Sequence, residues 1–236
     1  MMRSALHCAV ALGAIALAAA CQPQTAPADS AQPPGAAPQT AEADEGGAPT
    51  SLVPTLSCDA NAMFSAATTR QSLVDTHGAE NVTDAKVPWV DSEIDAVVLW
   101  ANDPTMRAEV LWLGPTSGKP DAARVGGGPD SLWVGPAGLL LGSTVADIEA
   151  ANGGPFMMTA FENHNHGEVS DFLGGKLAAA ETAGCRISFS LDAAEGAPEA
   201  ALAALSGDSE KSFRSDSPEV RAANPVIVEM TTLFMQ

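Results

Sequence analysis

Two ten-residue segments of this chain decide its fold: TRQSLVDTHG at residues 69–78 and TVADIEAANG at residues 144–153. A threonine, a leucine or isoleucine and a final glycine recur in both at the same positions, so the offset between the first residues equals that between the last ones. Threonine is a good cap for the first turn of a helix, and glycine readily adopts the left-handed conformation that ends one. Each segment therefore predicts a short helix.

A capping box is expected at the start of both helices. In the second helix Thr144 pairs with Asp147, and in the first Thr68 pairs with Gln71, one residue earlier in the motif. The apolar residue between the cap and the final glycine would then face a sheet. The constant offset predicts two similar halves, at about residues 58–125 and 130–191, separated by a glycine-rich break at residues 126–129.

Antiparallel strands are expected after each helix. Two apolar runs flank the turn residues Asn102-Asp103-Pro104, which predicts a hairpin. Further along, a short helix and a β-rich C-terminal run are expected. The predicted strands cover residues 95–100, 107–113, 156–161, 168–172, 185–191 and 225–234, and the predicted third helix covers residues 198–205. This order indicates an α+β fold, a tandem repeat of a helix packed on antiparallel sheet.

Composition excludes several classes of partner. The chain has 236 residues, with 29 acidic and 11 basic side chains and a formal charge of -18. Binding to nucleic acid or to an anionic membrane surface needs clustered lysine and arginine, so we expect neither. Aromatic residues make up 5% and tyrosine is absent, which argues against a base-stacking platform. Four tryptophans remain, and we expect them to pack in the core rather than to line a ligand surface: Trp89, Trp100, Trp112 and Trp133.

The N-terminus predicts export. Arg3 precedes an apolar run of about a dozen residues, which is too short for a bilayer-spanning helix, so residues 1–20 are interpreted as a signal peptide. The sequence LAAAC at residues 17–21 resembles the bacterial lipoprotein signal, which implies lipidation of Cys21. An ordinary cleaved signal with an incidental cysteine is the alternative. Gln22 after the cysteine favours the outer membrane over the inner one, by the same resemblance.

The segment after the signal is predicted to be a tether. Residues 21–50 are rich in alanine and proline and have no apolar periodicity, so we expect a lipidated, disordered spacer that holds the domain at residues 51–236 away from the membrane. The bilayer would then be contacted through the N-terminal anchor only.

Two cysteines lie in the predicted domain, Cys58 and Cys185. An exported chain with two such cysteines is most simply interpreted as having one disulfide. Two buried free thiols or a two-cysteine metal site are the alternatives.

A histidine-rich stretch, ENHNHGE at residues 162–168, is the one concentration of side-chain chemistry. On a strand its alternate residues would lie on one face, which could bind Zn²⁺ or Cu²⁺. The candidate ligands are Glu162, His164, His166 and Glu168. A solvated turn between strands is the alternative. No other cofactor is expected, and we find no sequence motif of a known catalytic set.

Residues 142–156 are similar to a motif of uncharacterised bacterial lipoproteins, G-T-x-x-x-L-E-x-x-N-G-x-P-F. The similarity covers about residues 58–190, although the family has an aromatic, aspartate-containing run where this chain has residues 162–166. More distantly, the helix-and-strand repeat looks like the β-lactamase inhibitory protein and the small BamE-like assembly lipoproteins. Those proteins are interaction modules, which implies a binding role.

Three functions follow as hypotheses. The first is a non-enzymatic envelope lipoprotein that faces the periplasm and binds or scaffolds another envelope protein. The second is a periplasmic metal-binding protein that uses the four candidate ligands. The third, by analogy with the β-lactamase inhibitory protein, is an inhibitor of a hydrolase.

Overall fold

The computed structural model describes residues 53–60, 62–89, 92–113, 118–161, 166–181, 184–208 and 210–235. The chain divides into two units, Met1–Ala48 and Pro49–Gln236, and every described residue lies in the second. No helix in this described part of the chain is both long and apolar enough to cross a membrane. Cys21 and the other residues of the predicted signal and tether lie outside the described residues.

The domain is built on one antiparallel sheet. In chain order its strands are β1 (Val82–Trp89), β2 (Ser92–Leu99), β3 (Ala108–Leu111), β4 (Ala122–Gly126), β5 (Met157–Thr159), β6 (Gly167–Asp171), β7 (Cys185–Asp192), β8 (Ser212–Arg214) and β9 (Val226–Phe234). Their order in the sheet is β1-β2-β3-β4-β9-β7-β6-β5-β8, and all neighbours are antiparallel. The last strand of the chain therefore lies between β4 and β7, where it joins the strands of the two halves.

Four helices contribute to the largest apolar core. They are α1 (Arg70–His77), α2 (Val145–Asn152), α3 (Glu199–Leu205) and α4 (Pro218–Ala223). Each of them places at least one buried side chain in that core, among them Leu73 of α1 and Ile148 of α2. The fold is thus α+β, as the sequence predicts.

The predicted capping boxes are half confirmed. Thr144 and Asp147 form the box of α2, and Gly153 ends this helix in the left-handed conformation. In α1 the box is formed by Thr69 with Ser72, one residue later than the predicted pair Thr68 and Gln71. The Thr68 hydroxyl instead accepts a hydrogen bond from the Ser65 backbone N–H, within the turn that precedes the helix.

The predicted tandem repeat is not confirmed as two helix-on-sheet units. The first residues of α1 and α2 do have the same offset as their last residues, since 145 − 70 equals 152 − 77. However, the strands after the two helices belong to a single nine-stranded sheet. The first helix is followed by four strands that are neighbours in sequence order, whereas the second is followed by three.

A disulfide joins Cys58 to Cys185, with the Cα atoms 5.5 Å apart. It attaches the segment before α1 to the start of β7, as the sequence predicts. This segment also packs against the core through Leu56 and Phe64.

The two faces of the sheet bury different clusters. Side chains alternate along a strand, so Val97 belongs to the large core and its neighbour Val98 faces the other way. On that second face lies a smaller buried cluster: Val87, Ala96, Val98, Leu111 and Ala122. The β1–β2 hairpin supplies three of these five residues, so it covers the second face at this end of the sheet.

Candidate functional site

A groove lies at the β1 edge of the sheet, beside the start of α1. It has a volume of about 550 Å³ and an open mouth. Its lining combines aliphatic surface, one tryptophan and four charged side chains: Arg70, Asp84, Ala85, Lys86, Asp95, Ala96, Val97 and Trp112. This is the candidate binding groove.

Register explains why charged side chains line this groove. Lys86 of β1 is the direct cross-strand partner of Asp95 of β2, and Asp84 is the partner of Val97. All four therefore point to the face that carries the main core, at the end where the core gives way to solvent. Arg70, the first residue of α1, completes the set from above the strands.

Two ion pairs hold the rim of the groove. The Arg70 Nε donates to both carboxylate oxygens of Asp84, at 2.8 and 3.0 Å, and the Lys86 Nζ lies 2.7 Å from the Asp95 Oδ1. The hydrogen bond and charge of Asp84 raise the pKa of Arg70, and those of Asp95 raise the pKa of Lys86. All four side chains remain largely exposed, so the pairs fix geometry more than they stabilise the fold.

Trp112 forms the apolar part of the lining. It follows β3, and its backbone N–H donates to the Asp95 carbonyl at 3.3 Å. By alternation it lies on the same face as Ala108 and Val110, which are fully buried. Trp112 is only partly buried, because it lies where the main core ends and the groove opens.

The tryptophans therefore differ in their roles: some pack in the core, as the sequence predicts, and one lines the groove, which was not expected. Trp133 is fully buried and stacks on Phe64, and Trp100 packs on the core beside it. Trp112 lines the groove instead. The sequence could predict the face of the strand on which Trp112 lies, but it could not predict where along that face the core ends.

The underside of the hairpin carries a partly buried ion-pair network. The Arg124 guanidinium donates to Glu109 at 2.5 and 2.9 Å, and Arg107 donates to the same carboxylate at 2.6 Å. Arg124 also donates to the Pro88 carbonyl at 3.0 Å and lies under the ring of Trp89, 5.6 Å from its centroid. Adjacent strands are about 4.8 Å apart, so β1 and β4 would be about 14 Å apart in a flat sheet. The hairpin must therefore curl over β3 and β4, and this contact fixes the floor of the groove.

Glu229 extends this network to β9. Its carboxylate lies 3.6 Å from the Arg124 Nε and accepts from the Thr231 hydroxyl at 3.3 Å. Burial raises the pKa of Glu229, and the Arg124 charge opposes that rise.

The predicted metal ligands are only partly within the described residues. Glu162 and His164 lie outside them. His166 precedes β6 and is about half exposed, with its Nδ1 3.7 Å from the Asp192 Oδ2, and Glu168 is exposed on β6. In the described part of the chain no group of three or more His, Cys, Asp or Glu side chains could hold a metal ion. The metal site stays a prediction.

The residues that carry the lipoprotein-like motif serve the packing of α2. The side chain of Asn152, which is 1% exposed, donates to the carbonyls of Gly154, Pro155 and Phe172 and accepts from the Leu177 N–H. These bonds connect the end of α2 to the two loops that follow it.

Glu149 ties the same helix to the C-terminal part of the domain. Its carboxylate accepts from the Ser215 hydroxyl at 2.6 Å and from Arg221 of α4. Ser215 in turn accepts from the Phe156 N–H at 3.0 Å. The motif residues therefore connect α2 to neighbouring parts of the fold, and none of their side chains lines the groove.

Similarity to known proteins adds little to this geometry. No protein-family model matches the chain. No curated protein matches it either. Among solved structures, the crystal structure of the uncharacterized protein yfeY from Escherichia coli is similar over 70% of this chain and 88% of that chain, with 12% sequence identity and a TM-score of 0.38.

Proposed function

We propose that this protein is a non-enzymatic envelope lipoprotein that binds another envelope protein through the groove beside α1. One observation carries the proposal: a partly buried tryptophan and aliphatic surface lie open between two ion pairs at the edge of the sheet. An aromatic side chain with aliphatic surroundings and a polar rim is typical of the centre of a protein interface.

The ion pairs of the groove support a binding role. Arg70 and Lys86 are each held by an aspartate at hydrogen-bond distance, and the hydrogen bond and charge of that aspartate raise the pKa of each cation. The charged side chains of the groove are therefore suited to orienting a partner.

The proposed location rests on the N-terminal sequence. Lipidation of Cys21, followed by the tether, would place the domain in the periplasm, and Gln22 favours the outer membrane. The disulfide between Cys58 and Cys185 supports an oxidising compartment.

We also propose that α1 and α2 derive from a duplicated helix-and-strand unit, which is supported by their equal lengths and by the constant offset between their bounds.

Site-specific photocrosslinking in the native envelope tests the groove as the binding site. A benzophenone amino acid would replace Lys86, whose side chain lines the groove and is 60% exposed, and as a control Leu140, which is 43% exposed on the loop before α2. We expect one protein to be crosslinked reproducibly from position 86 and not from position 140. No adduct from position 86, or the same adducts from both positions, would contradict the proposal.

A metal-binding function is the second candidate, favoured by the contact between His166 and Asp192. A thermal melt with and without Zn²⁺ or Cu²⁺ separates the two candidates. On the first proposal we expect the Tm to be unaffected by either ion. A metal-dependent rise in Tm that disappears in His166→Ala but persists in His77→Ala would favour the second.

A further inference from the structure

We propose that the occupant of the groove is an extended cationic segment of the partner protein, in which lysine or arginine alternates with apolar residues. This inference rests on the proposed function, since it names the chemistry of the partner at the same site. The charges around the groove support it, and so does the way this molecule already binds its own cationic side chains.

The charges of the hairpin favour a cation. Arg70 and Lys86 are each in close contact with an aspartate, at 2.8 and 2.7 Å, so the positive charge of each is already balanced. Glu93 adds a third carboxylate, close enough to Lys86 to raise the pKa of that amine, and it is exposed. Two cations and three carboxylates give this surface a formal charge of 2 − 3 = −1.

The charge of the whole chain acts in the same direction. A formal charge of -18 attracts cationic segments and repels anionic ones before contact is made. Of the basic side chains in the described residues, seven are in ion pairs: Arg70, Lys86, Arg107, Arg124, Arg186, Arg214 and Arg221. An anionic partner that used one of these seven would therefore have to displace an existing ion pair, whereas a cationic one has Glu93, which is in none of these seven pairs.

Trp112 supplies a second, independent interaction for the same class of partner. The face of an indole ring attracts an ammonium or guanidinium group, and the aliphatic stem of lysine or arginine packs along apolar surface. The molecule uses this arrangement twice within itself, with Arg124 at 5.6 Å from the Trp89 centroid and the Lys211 Nζ at 4.7 Å from the Phe213 centroid. Trp112 is the groove's own aromatic ring, and it supplies the apolar surface for the segment, since Val97 beside it is only 4% exposed.

Fluorescence anisotropy with the full-length chain in detergent tests the inference. The probes are two labelled peptides of equal length, one alternating lysine with valine and one alternating glutamate with valine. Three variants are compared with the wild type: Trp112→Ala, Glu93→Gln, and Glu195→Gln as the matched control. Glu195 is an exposed acid in the loop before α3, so its substitution changes the net charge by the same amount as that of Glu93.

We expect the lysine peptide to bind and the glutamate peptide not to bind. Loss of the cation–π contact is worth about 1 kcal/mol, so Trp112→Ala should weaken binding about fivefold. Glu93→Gln should weaken it by a smaller factor, and Glu195→Gln should leave it unchanged. Circular dichroism checks that Trp112→Ala is folded, and Glu93→Gln tests the same site without removing a packed side chain.

Three results would overturn the inference. If the glutamate peptide binds as well as the lysine peptide, the groove does not select cations. If all three variants bind the lysine peptide equally, its attraction is to the net charge of the chain and not to the groove. If a partner is crosslinked from position 86 while the lysine peptide fails to bind, the proposed function stands and only the chemistry of the occupant is wrong.

Discussion

At the scale of single residues, Asn152 shows how one side chain can attach the end of a helix to the loops that follow it. It ends α2, and its amide makes hydrogen bonds to backbone groups of two loops. Gly175 approaches so closely that a Cβ there would lie 2.2 Å from the Asn152 Oδ1. The last residue of α1 is His77, and it has no such role. The nearby Asn81 makes one bond of this kind, to the His77 carbonyl at 2.9 Å.

Replacing Asn152 should therefore cost far more stability than replacing Asn81. Asn152→Ala leaves buried backbone groups without partners, each at a cost of about 1 to 3 kcal/mol, so we expect a loss of about 3 kcal/mol in the free energy of unfolding. Asn81→Ala removes one partly buried bond and should cost about 1 kcal/mol. Urea denaturation followed by circular dichroism measures both. Equal losses in the two variants would show that the Asn152 bonds carry no special weight.

His77 gives the domain a dependence on pH. Its ring packs against the edge of Trp100, with the centroids 4.9 Å apart, and burial lowers the pKa of the imidazole. Above the ordinary histidine pKa of about 6.5 the ring is neutral in both the folded and the unfolded chain. As the pH falls below that value the unfolded chain takes up the proton more readily, so the folded state loses stability.

We expect the free energy of unfolding to fall between about pH 7.5 and pH 5.5, and to fall less in His77→Gln. The difference between the two proteins at each pH isolates this histidine from Glu229, whose raised pKa acts in the opposite direction because the folded state binds that proton more tightly. Parallel pH profiles for wild type and His77→Gln would contradict the assignment.

At the scale of elements, the curl of the β1–β2 hairpin is what creates the groove. Pairing with β3 involves only Ala96–Leu99 of β2, so the outer half of the hairpin is free to bend. It bends over the Glu109–Arg124 pair, and its own Val87 and Val98 are buried there with Leu111 and Ala122 of the neighbouring strands. The groove opens on the opposite side of the same hairpin. Packing on the second face of the sheet therefore determines the shape of the groove on the face that carries the main core.

Breaking the ion pair under the hairpin should be more damaging than replacing it. Arg124→Met leaves the Glu109 carboxylate with only Arg107, and we expect a loss of about 2 to 3 kcal/mol in the free energy of unfolding. The double variant Glu109→Gln/Arg124→Met also removes the Glu109 carboxylate. Glu229 loses Arg124 in both variants, and the one further charge that loses its partner is the partly exposed Arg107, so the double variant should recover at least half of that loss. Chemical denaturation of both single variants and the double variant completes the cycle. A double variant that is less stable than Arg124→Met would show that the pair itself is strongly stabilising.

The sequence predicted the elements whose signals are local. The Thr144–Asp147 box, the terminal Gly153 and the hairpin around Asn102-Asp103-Pro104 all depend on a few adjacent residues, and all were found. Strand β1 was missed because Asp84, Lys86 and Pro88 interrupt its apolar pattern. Strands β4 and β8 and helix α4 were missed because runs of three to six residues carry almost no periodicity.

The candidate groove was beyond prediction for a different reason. Two of its charged residues come from β1, which was missed, and another from the start of α1, and the register alone sets Lys86 opposite Asp95. The position of β9 between β4 and β7 is equally non-local, since its pairing with both strands depends on the whole sheet. No pattern within a strand states which strand will lie beside it.

At the scale of the whole molecule, the disulfide is a covalent restraint between two distant parts of the chain. It spans 127 residues, and it closes the segment before α1 onto β7, which is next to the central strand β9. In the chain-entropy description a crosslink over a loop of this length stabilises the fold by about 5 kcal/mol, because it restricts the unfolded chain. Domains of this size are stable by only about 5 to 15 kcal/mol in total.

Removing the crosslink should accordingly bring the domain close to its stability limit. For Cys58→Ala/Cys185→Ala we expect the free energy of unfolding to fall by about 4 to 5 kcal/mol, and we expect dithiothreitol to shift the wild type to the same midpoint while leaving the double variant unchanged. The urea m value should also rise in the reduced wild type and in the double variant, because the unfolded chain without its crosslink exposes more surface. An unchanged m value with a lower midpoint would instead show that the disulfide stabilises the folded state. Its loss would then act through the contacts that Leu56 and Phe64 make with the core.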